Sequence, residues 1–237
     1  MTEAGSRPEL KAAASPAAIL RNAFGGTARV VSQQTPLVRA GDPCHSVFLL
    51  VSGWAYRQRM LPSGRRTVLD IYVAGDLIGL DHLFQQRTPD SVVTLTTASH
   101  LALDCEILHA LFRQNSDVAA EIARRLYEEK KRLEWHTVLL ARLPAIERTV
   151  AGLHQLWTRQ SAGRAGQERR EDRAAVRVPL TQHLLADYLG LNVVHLNRTL
   201  RNLRAAGMLE IAKGTIIIDD AQRLIGAAAS VFDLVQS

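Results

Sequence analysis

Between Gln34 and Asp104 the apolar residues come in short runs separated by turn signals. Val47 to Val51 is one such run, closed by Ser52-Gly53. Trp54 to Met60 alternates loosely up to Pro62-Ser63-Gly64, Thr67 to Val73 is β-branched and aromatic up to Gly75-Asp76, and Val92 to Leu103 is rich in threonine and valine. Short β-prone runs at this spacing predict a β-sandwich or jelly roll.

The period changes after Cys105. From Asp117 to Arg142 there is no Gly or Pro, and Ala119, Ile122, Leu126, Leu133 and Leu140 fall on alternating three- and four-residue steps once Glu129 and His136 fill the vacant places. A seam of that length predicts a helix packed along its own copy, hence a homodimer. The plainer account is a long helix lying across its own β-domain, with Glu129 and His136 reaching solvent or the β-domain. In a parallel pair Glu129 would meet its own copy, which would raise a carboxylate pKa and make the dimer sensitive to pH. Leu143-Pro144 interrupts the seam, which makes Ala141 to Pro144 a hinge and starts a further helix from Ala145 to Trp157. Ser161 to Ala175, with two glycines and mixed charges, reads as a solvated loop.

The most informative pattern follows Pro179. Thr181 is an N-cap residue, and Leu184, Leu185 and Tyr188 form one apolar face. Ala186 is small where two helices would cross, Gly190 falls in a connecting turn, and Leu196, Leu200 and Leu203 bury a second helix. Leu209 to Ile211, the turn Lys213-Gly214 and Thr215 to Ile218 then make a hairpin. A helix-turn-helix followed by a hairpin is a winged helix. The outward residues of its second helix are the candidate readers of double-stranded DNA. Arg198 suits a bidentate contact to guanine, Asn197 and His195 can donate to a base edge, and Val194 can pack on a thymine methyl. Thr181, Arg201, Arg204 and Lys213 are placed for phosphates. The plainer alternative is a protein-binding winged helix whose arginines are only solvated.

Composition sharpens this only slightly. The chain has 237 residues, 47% hydrophobic and 22% charged, ordinary values for two globular domains. Its net charge is +6, but twelve Lys and Arg against nine Asp and Glu beyond Pro144 leave only +3 in that half. Placement is the stronger signal: Asn192 to Gly214 holds Arg198, Arg201, Arg204 and Lys213 against Glu210 alone. Two cysteines, Cys44 and Cys105, lack metal-site spacing and suit a reducing cytoplasm. No stretch approaches the length of a membrane span.

Taken together these motifs resemble the Crp–Fnr superfamily of bacterial transcription regulators. The resemblance rests on Ala40-Gly41-Asp42, Val47 to Gly53 and Ala74 to Gly79 in the β-region, Arg124-Arg125-Leu126 in the long helix, Glu147-Arg148 beyond the hinge, and Leu180-Thr181-Gln182 with Val194 to Arg201 in the winged helix. It implies an α+β, two-domain chain: a flexible segment at residues 1–27, a cyclic-nucleotide-binding-like β-roll at 28–116, a dimerisation helix at 117–143 and a winged helix at 144–237. It further implies a homodimer on an inverted-repeat promoter site that contacts RNA polymerase.

Departures from the family pattern bear on the signal. Nucleotide-binding members carry a Glu after the Gly of the turn and an Arg-Ser pair on the phosphate cassette; here Leu80 follows Gly79, and Asp90-Ser91 fills the cassette. An aspartate repels a cyclic phosphate, so the pattern argues against cyclic AMP and for a regulator without a known cofactor. The cysteine cluster of iron–sulfur members is missing, since no cysteine precedes Cys44. A haem, with His82, His100 or Cys105 as axial ligand, and a redox role for Cys44 remain as alternatives, as does an unidentified small effector. A cupin-type enzyme would need a His-x-His pair and a following Glu, and none of the eight histidines is so spaced. The expectation is a regulator and not an enzyme.

Overall fold

A computed structural model describes residues 15–164, 176–212, 214–218 and 224. The chain begins with α1 (Pro16–Ala23), then runs through β1 (Arg29–Val31), β2 (Pro36–Val38), β3 (Ser46–Ser52), β4 (Ala55–Met60), β5 (Arg66–Tyr72), β6 (Leu77–Ile78), a 3-10 turn at Leu80–Leu83, β7 (Ser91–Thr94) and β8 (Ala98–Asp104). The strands pair antiparallel in two sheets, ordered β1-β8-β3-β6 and β2-β7-β4-β5. This is the expected roll. The stretch from Val92 to Leu103, uniform in sequence, is two strands in opposite sheets. The chain turns between them, held by the Trp54 amide on Thr96 Oγ1 (3.0 Å) and the Leu95 amide on the Trp54 carbonyl (2.7 Å).

Two helices lie where none was expected. Pro16–Ala23 falls within the segment read as flexible, but Ser15 caps it and Leu20 and Phe24 are buried in the core. Its small, alanine-rich composition hides a face that only packing reveals. α2 (Cys105–Gln114) follows β8 directly, capped by Asp104. α3 (Ser116–Arg142) is the predicted long helix, capped by Asn115. It stops because Leu143 precedes Pro144 and is forced to extended backbone. α4 (Ala145–Arg164) then runs seven residues past the expected end at Trp157. The remainder of the expected loop, 165–175, lies outside the described residues.

The winged helix comprises β9 (Val176–Val178), α5 (Gln182–Leu189), α6 (Val193–Ala205), β10 (Glu210–Ala212) and β11 (Thr215–Ile218). β9 adds a third strand, in the order β10-β11-β9, that the sequence reading did not foresee.

The two domains share a core. Trp54, Tyr56, Val68, Ile71 and Val73 of the roll pack in one cluster with Leu139 of α3, Leu153 and Leu156 of α4 and Leu184, Leu185 and Tyr188 of α5. Charged groups cross the same boundary. Arg66 Nε and Nη2 reach Asp187 at 3.1 and 2.5 Å. Arg159 of α4 reaches Asp76 at 2.7 Å and Asp70 at 3.4 Å, and Arg132 of α3 reaches Asp70 at 3.4 Å.

His136 closes this boundary. Its ring stacks on Tyr188 with centroids 4.5 Å apart, and burial pushes its pKa down, against the pull of Asp70 and with the push of Arg148. A histidine of lowered pKa binds fewer protons folded than unfolded, so stability should fall as pH drops below about 6.5 toward the folded value. Glu129, whose pKa burial raises, acts in the opposite sense: its contribution is present below the usual carboxylate range and is lost as pH rises. Urea unfolding of His136→Phe, which keeps a ring on Tyr188, should show a flatter dependence than the parent between about pH 5 and 7. Identical curves would remove His136 as the source.

Candidate nucleic-acid interface

α5 and α6 are each started by a side-chain cap, and the turn between them runs from Gly190 to Asn192. Thr181 Oγ1 accepts from the Leu184 amide at 3.2 Å, and Asn192 Oδ1 accepts from the Val194 amide at 2.8 Å. Gly190 takes φ +59, a left-handed value that a glycine adopts without Cβ strain. Leu196, Leu200 and Leu203 are buried as the spacing predicted, and Ala186 is 1% exposed at the crossing.

The opposite face of α6 points outward. Val194 is 77% exposed, an apolar side chain with no intramolecular reason to be there. His195, Arg198, Arg201 and Arg204 are exposed with it, and no acidic residue lies among them. Asn197 departs from this set: it is half-buried, and its Oδ1 is sealed from solvent without a hydrogen-bond partner among the described residues. It lies at the edge of the face rather than on it. Thr181 is exposed beside the start of α5; Lys213 lies outside the described residues. The exposed cations and the positive dipole ends of α5 and α6 suit anionic phosphates.

The expected seam on α3 divides. Ile122 is fully buried against the roll, His136 is stacked on Tyr188, and Glu129 turns to Arg57 at 3.4 Å. All three are engaged within one chain, the plainer placement allowed for Glu129 and His136. Ala119 and Leu126 are half-buried, whereas Leu133 and Leu140 are 43% and 38% exposed. Tyr127 and Val138, which the heptad assignment omitted, are 58% and 41% exposed on the same helix. An exposed apolar residue at 127 or 138 is visible in the sequence, but which way it faces is set by how α3 lies on the roll.

Within the roll, Asp90 is 1% exposed and held by two arginines of β4. Arg57 Nε lies 2.7 Å from one carboxylate oxygen and Arg59 Nε 2.6 Å from the other. Arg57 also reaches Asp81 and Glu129, each at 3.4 Å, and against the lowering effect of burial its pKa is raised by Tyr72, Asp81 and Asp90. The sequence reading found the aspartate and missed its cations, which come from a strand over thirty residues earlier.

The cysteines and histidines proposed as ligands do not form one site. Cys44, Cys105 and His82 face a cavity of about 560 Å³ with His45 and His109, while His100 packs edge-on against Phe48 elsewhere. His82 is buried with Nδ1 2.9 Å from the Ser46 carbonyl and its ring against Gly79, where a Cβ would approach to 2.7 Å. Burial and neighbouring Asp104 push the Cys105 thiol up to about 11, and burial raises Cys44 as well. Both thiols are therefore protonated near neutral pH, the opposite of what a thiolate ligand or redox thiol needs. Among the described residues no three His, Cys, Asp or Glu side chains come together as a metal site.

Comparison with known proteins agrees with this geometry. A cyclic nucleotide-binding domain matches residues 28–115, and a Crp-like helix-turn-helix domain matches residues 147–226. The chain carries both domains of the Crp–Fnr superfamily. It is similar to the anaerobic regulatory protein of Haemophilus influenzae, 28% identical over 195 residues that cover 82% of this chain and 74% of the relative. It is also similar to the fumarate and nitrate reduction regulatory protein of Vibrio cholerae, 29% identical over 181 residues, 76% of this chain and 70% of the relative. Among solved structures, FixK2 from Bradyrhizobium japonicum has the same fold, with a TM-score of 0.73 at 21% identity, covering 84% of this chain and 96% of that one. A CRP-family transcriptional regulator of Thermus thermophilus gives a TM-score of 0.66 at 17% identity, covering 85% and 96%.

With a Crp-like helix-turn-helix domain, and similar to proteins named as regulatory, the chain is a DNA-binding transcription regulator. Its roll is the cyclic nucleotide-binding domain of the superfamily, and the Asp90 cluster is a feature of this domain's interior. Among the described residues no helix is long and apolar enough to cross a membrane.

Proposed function

We propose that this regulator reads an inverted-repeat promoter site as a homodimer and does so without cyclic AMP. The observation that carries the DNA reading is the outward face of α6, where an apolar Val194 and three arginines are exposed together with no carboxylate. Arg198, Val194 and His195 contact base edges, with Asn197 at the flank. Arg201, Arg204, Thr181 and, by its place in the sequence, Lys213 hold the backbone. Leu133 and Leu140, one heptad apart on one face of α3, supply the apolar surface that a second copy covers, and RNA polymerase and a cytoplasmic setting follow from the regulatory role.

The buried Asp90 supports the second half of the proposal. A cyclic phosphate at the cassette must compete for Arg57 and Arg59 with a carboxylate already held at 2.6–2.7 Å, and it must bring its own negative charge beside that carboxylate. The regulator is then active as made, and its abundance is what varies. Selection of DNA from a random pool, with purified protein alone, with cyclic AMP and with cell extract, tests both points. One palindrome recovered equally in all three arms is the expected result. Recovery only with cyclic AMP or extract overturns the effector-free reading, and recovery of no palindrome overturns the dimeric one.

The phosphate contacts have their own signature. Arg204→Ala should weaken binding to all sequences alike and lower the salt slope by about 1. A sequence-dependent loss would move Arg204 into the base-reading set.

A further inference from the structure

Arg148, in the first turn of α4, spends its guanidinium on four main-chain carbonyls. Nη2 donates to Leu140 at 2.9 Å and to Leu143 at 3.0 Å; Nη1 donates to Leu189 and to Gly190, both at 3.2 Å. The first pair belongs to the end of α3, the second to the end of α5. A helix leaves its last four carbonyls without internal partners, and its dipole makes that end partly negative. Two such ends therefore converge on one permanently charged, planar group, whose fixed fork suits two directions at once.

The junction is close-packed around this contact. A Cβ at Gly190 would approach Leu140 Cδ2 to 2.9 Å and Arg148 Nη1 to 3.7 Å. Only Leu191 and Asn192 separate Gly190 from α6. The path from the end of α3 to the start of the reading helix thus runs through one side chain across a break of two residues, Leu143 and Pro144.

We propose that Arg148 is a positioning residue for DNA recognition: it fixes the angle between the dimerisation helix and the helix-turn-helix, and so the separation at which two α6 helices meet their half-sites. The proposal rests on the dimeric DNA-binding reading above. A symmetric dimer presents its two reading helices at one spacing only if each is rigidly referred to the common axis, and α3 is the element nearest that axis. Lysine does not replace the function, since an ammonium is a point donor that cannot span carbonyls of two helices with planar geometry.

The full chain is compared as parent, Arg148→Met and Arg148→Lys, with dimerisation followed by sedimentation. Each binds three kinds of DNA: the selected palindrome, palindromes with the spacer changed by one base pair either way, and a duplex with a single half-site. The parent should prefer its own spacing. Arg148→Met should remain dimeric and bind the half-site within about twofold of the parent, yet lose about tenfold or more on the palindrome and show a flattened spacing preference; a tenfold change is about 1.4 kcal/mol. Arg148→Lys should fall between them.

A parent-like spacing profile in both variants overturns the proposal. So does an equal loss on half-site and palindrome, which would mark Arg148 as a fold residue of the winged helix alone. A parent that shows no preference for the palindrome over the half-site overturns the dimeric reading itself, a result distinct from either. If Arg148→Met does not fold, Gly190→Ala disturbs the same junction through Leu140, and its spacing profile, flattened or parent-like, decides with that of Arg148→Lys.

Discussion

Arg198→Ala is expected to abolish preference at one base pair of each half-site, costing about 1–3 kcal/mol per half-site, whereas non-specific binding should weaken only slightly. The reason is geometric. Arg198 stands one turn beyond Val194 on the exposed side of α6, with Thr199 and Leu200 buried directly behind it. Among the described residues no carboxylate pairs with this guanidinium, and its fork matches the two acceptors of guanine in the major groove. In a dimer the two losses combine, so this is the largest expected effect on binding. The measurement is a competition between the selected palindrome and variants carrying each base at each position. If Arg198→Ala loses affinity uniformly across all of them, Arg198 is a phosphate contact and the base-reading assignment fails.

The largest expected effect on stability comes from Asp70→Ala. Asp70 is 5% exposed, its carboxylate faces Arg132 and Arg159, and its Oδ1 accepts from the Ile71 amide at 2.8 Å. Removing one partner of a buried pair leaves the other uncompensated and costs about 3–5 kcal/mol. Arg159 keeps Asp76 at 2.7 Å and the Asp70 contacts are long at 3.4 Å, so about 3 kcal/mol is the expected loss. Because Arg159 belongs to α4 and Asp70 to the roll, the loss should appear first as uncoupling of the domains, with separate unfolding transitions by urea. The double variant Asp70→Ala with Arg132→Met should recover part of the loss, since it removes the cation whose ion pair, among the described residues, is with Asp70, while Arg159 keeps Asp76. A single variant within about 1 kcal/mol of the parent would show that the apolar cluster alone holds the domains together.

The Asp90 cluster and the Asp70 cluster have a common logic. Each places a carboxylate in the interior of the roll and reaches it with arginines from elsewhere in the chain. Such pairs add little net stability over apolar packing, but they penalise any arrangement in which the partners separate. In this regulator they tie the roll to α3 through Glu129 and Arg132, and to α4 through Arg159.

Much of this was legible in the sequence. The roll, the long helix, the break at Leu143-Pro144 and the winged helix follow from local periods, caps and turn residues, because each is dictated by neighbours within a few positions. The α6 face was legible for the same reason: Leu196, Leu200 and Leu203 fix which side is buried, and Val194, Arg198 and Arg201 are what remains. The seam of α3 was half legible. Its apolar period was real, but a period cannot say whether Ile122 and His136 face a second copy or their own domain, and here both are occupied within the chain.

The sequence by itself determined the long helix, its break, most of the strands, the helix-turn-helix and the chemistry of the exposed α6 face, since these depend on residues one to four positions apart. Only the tertiary structure decided which charges are paired. Arg57 with Asp90, Arg66 with Asp187 and Arg148 with the ends of α3 and α5 join residues up to 121 positions apart. A charge carries no record in the sequence of the partner it will meet; that is fixed when burial withdraws both from water and leaves each only the other.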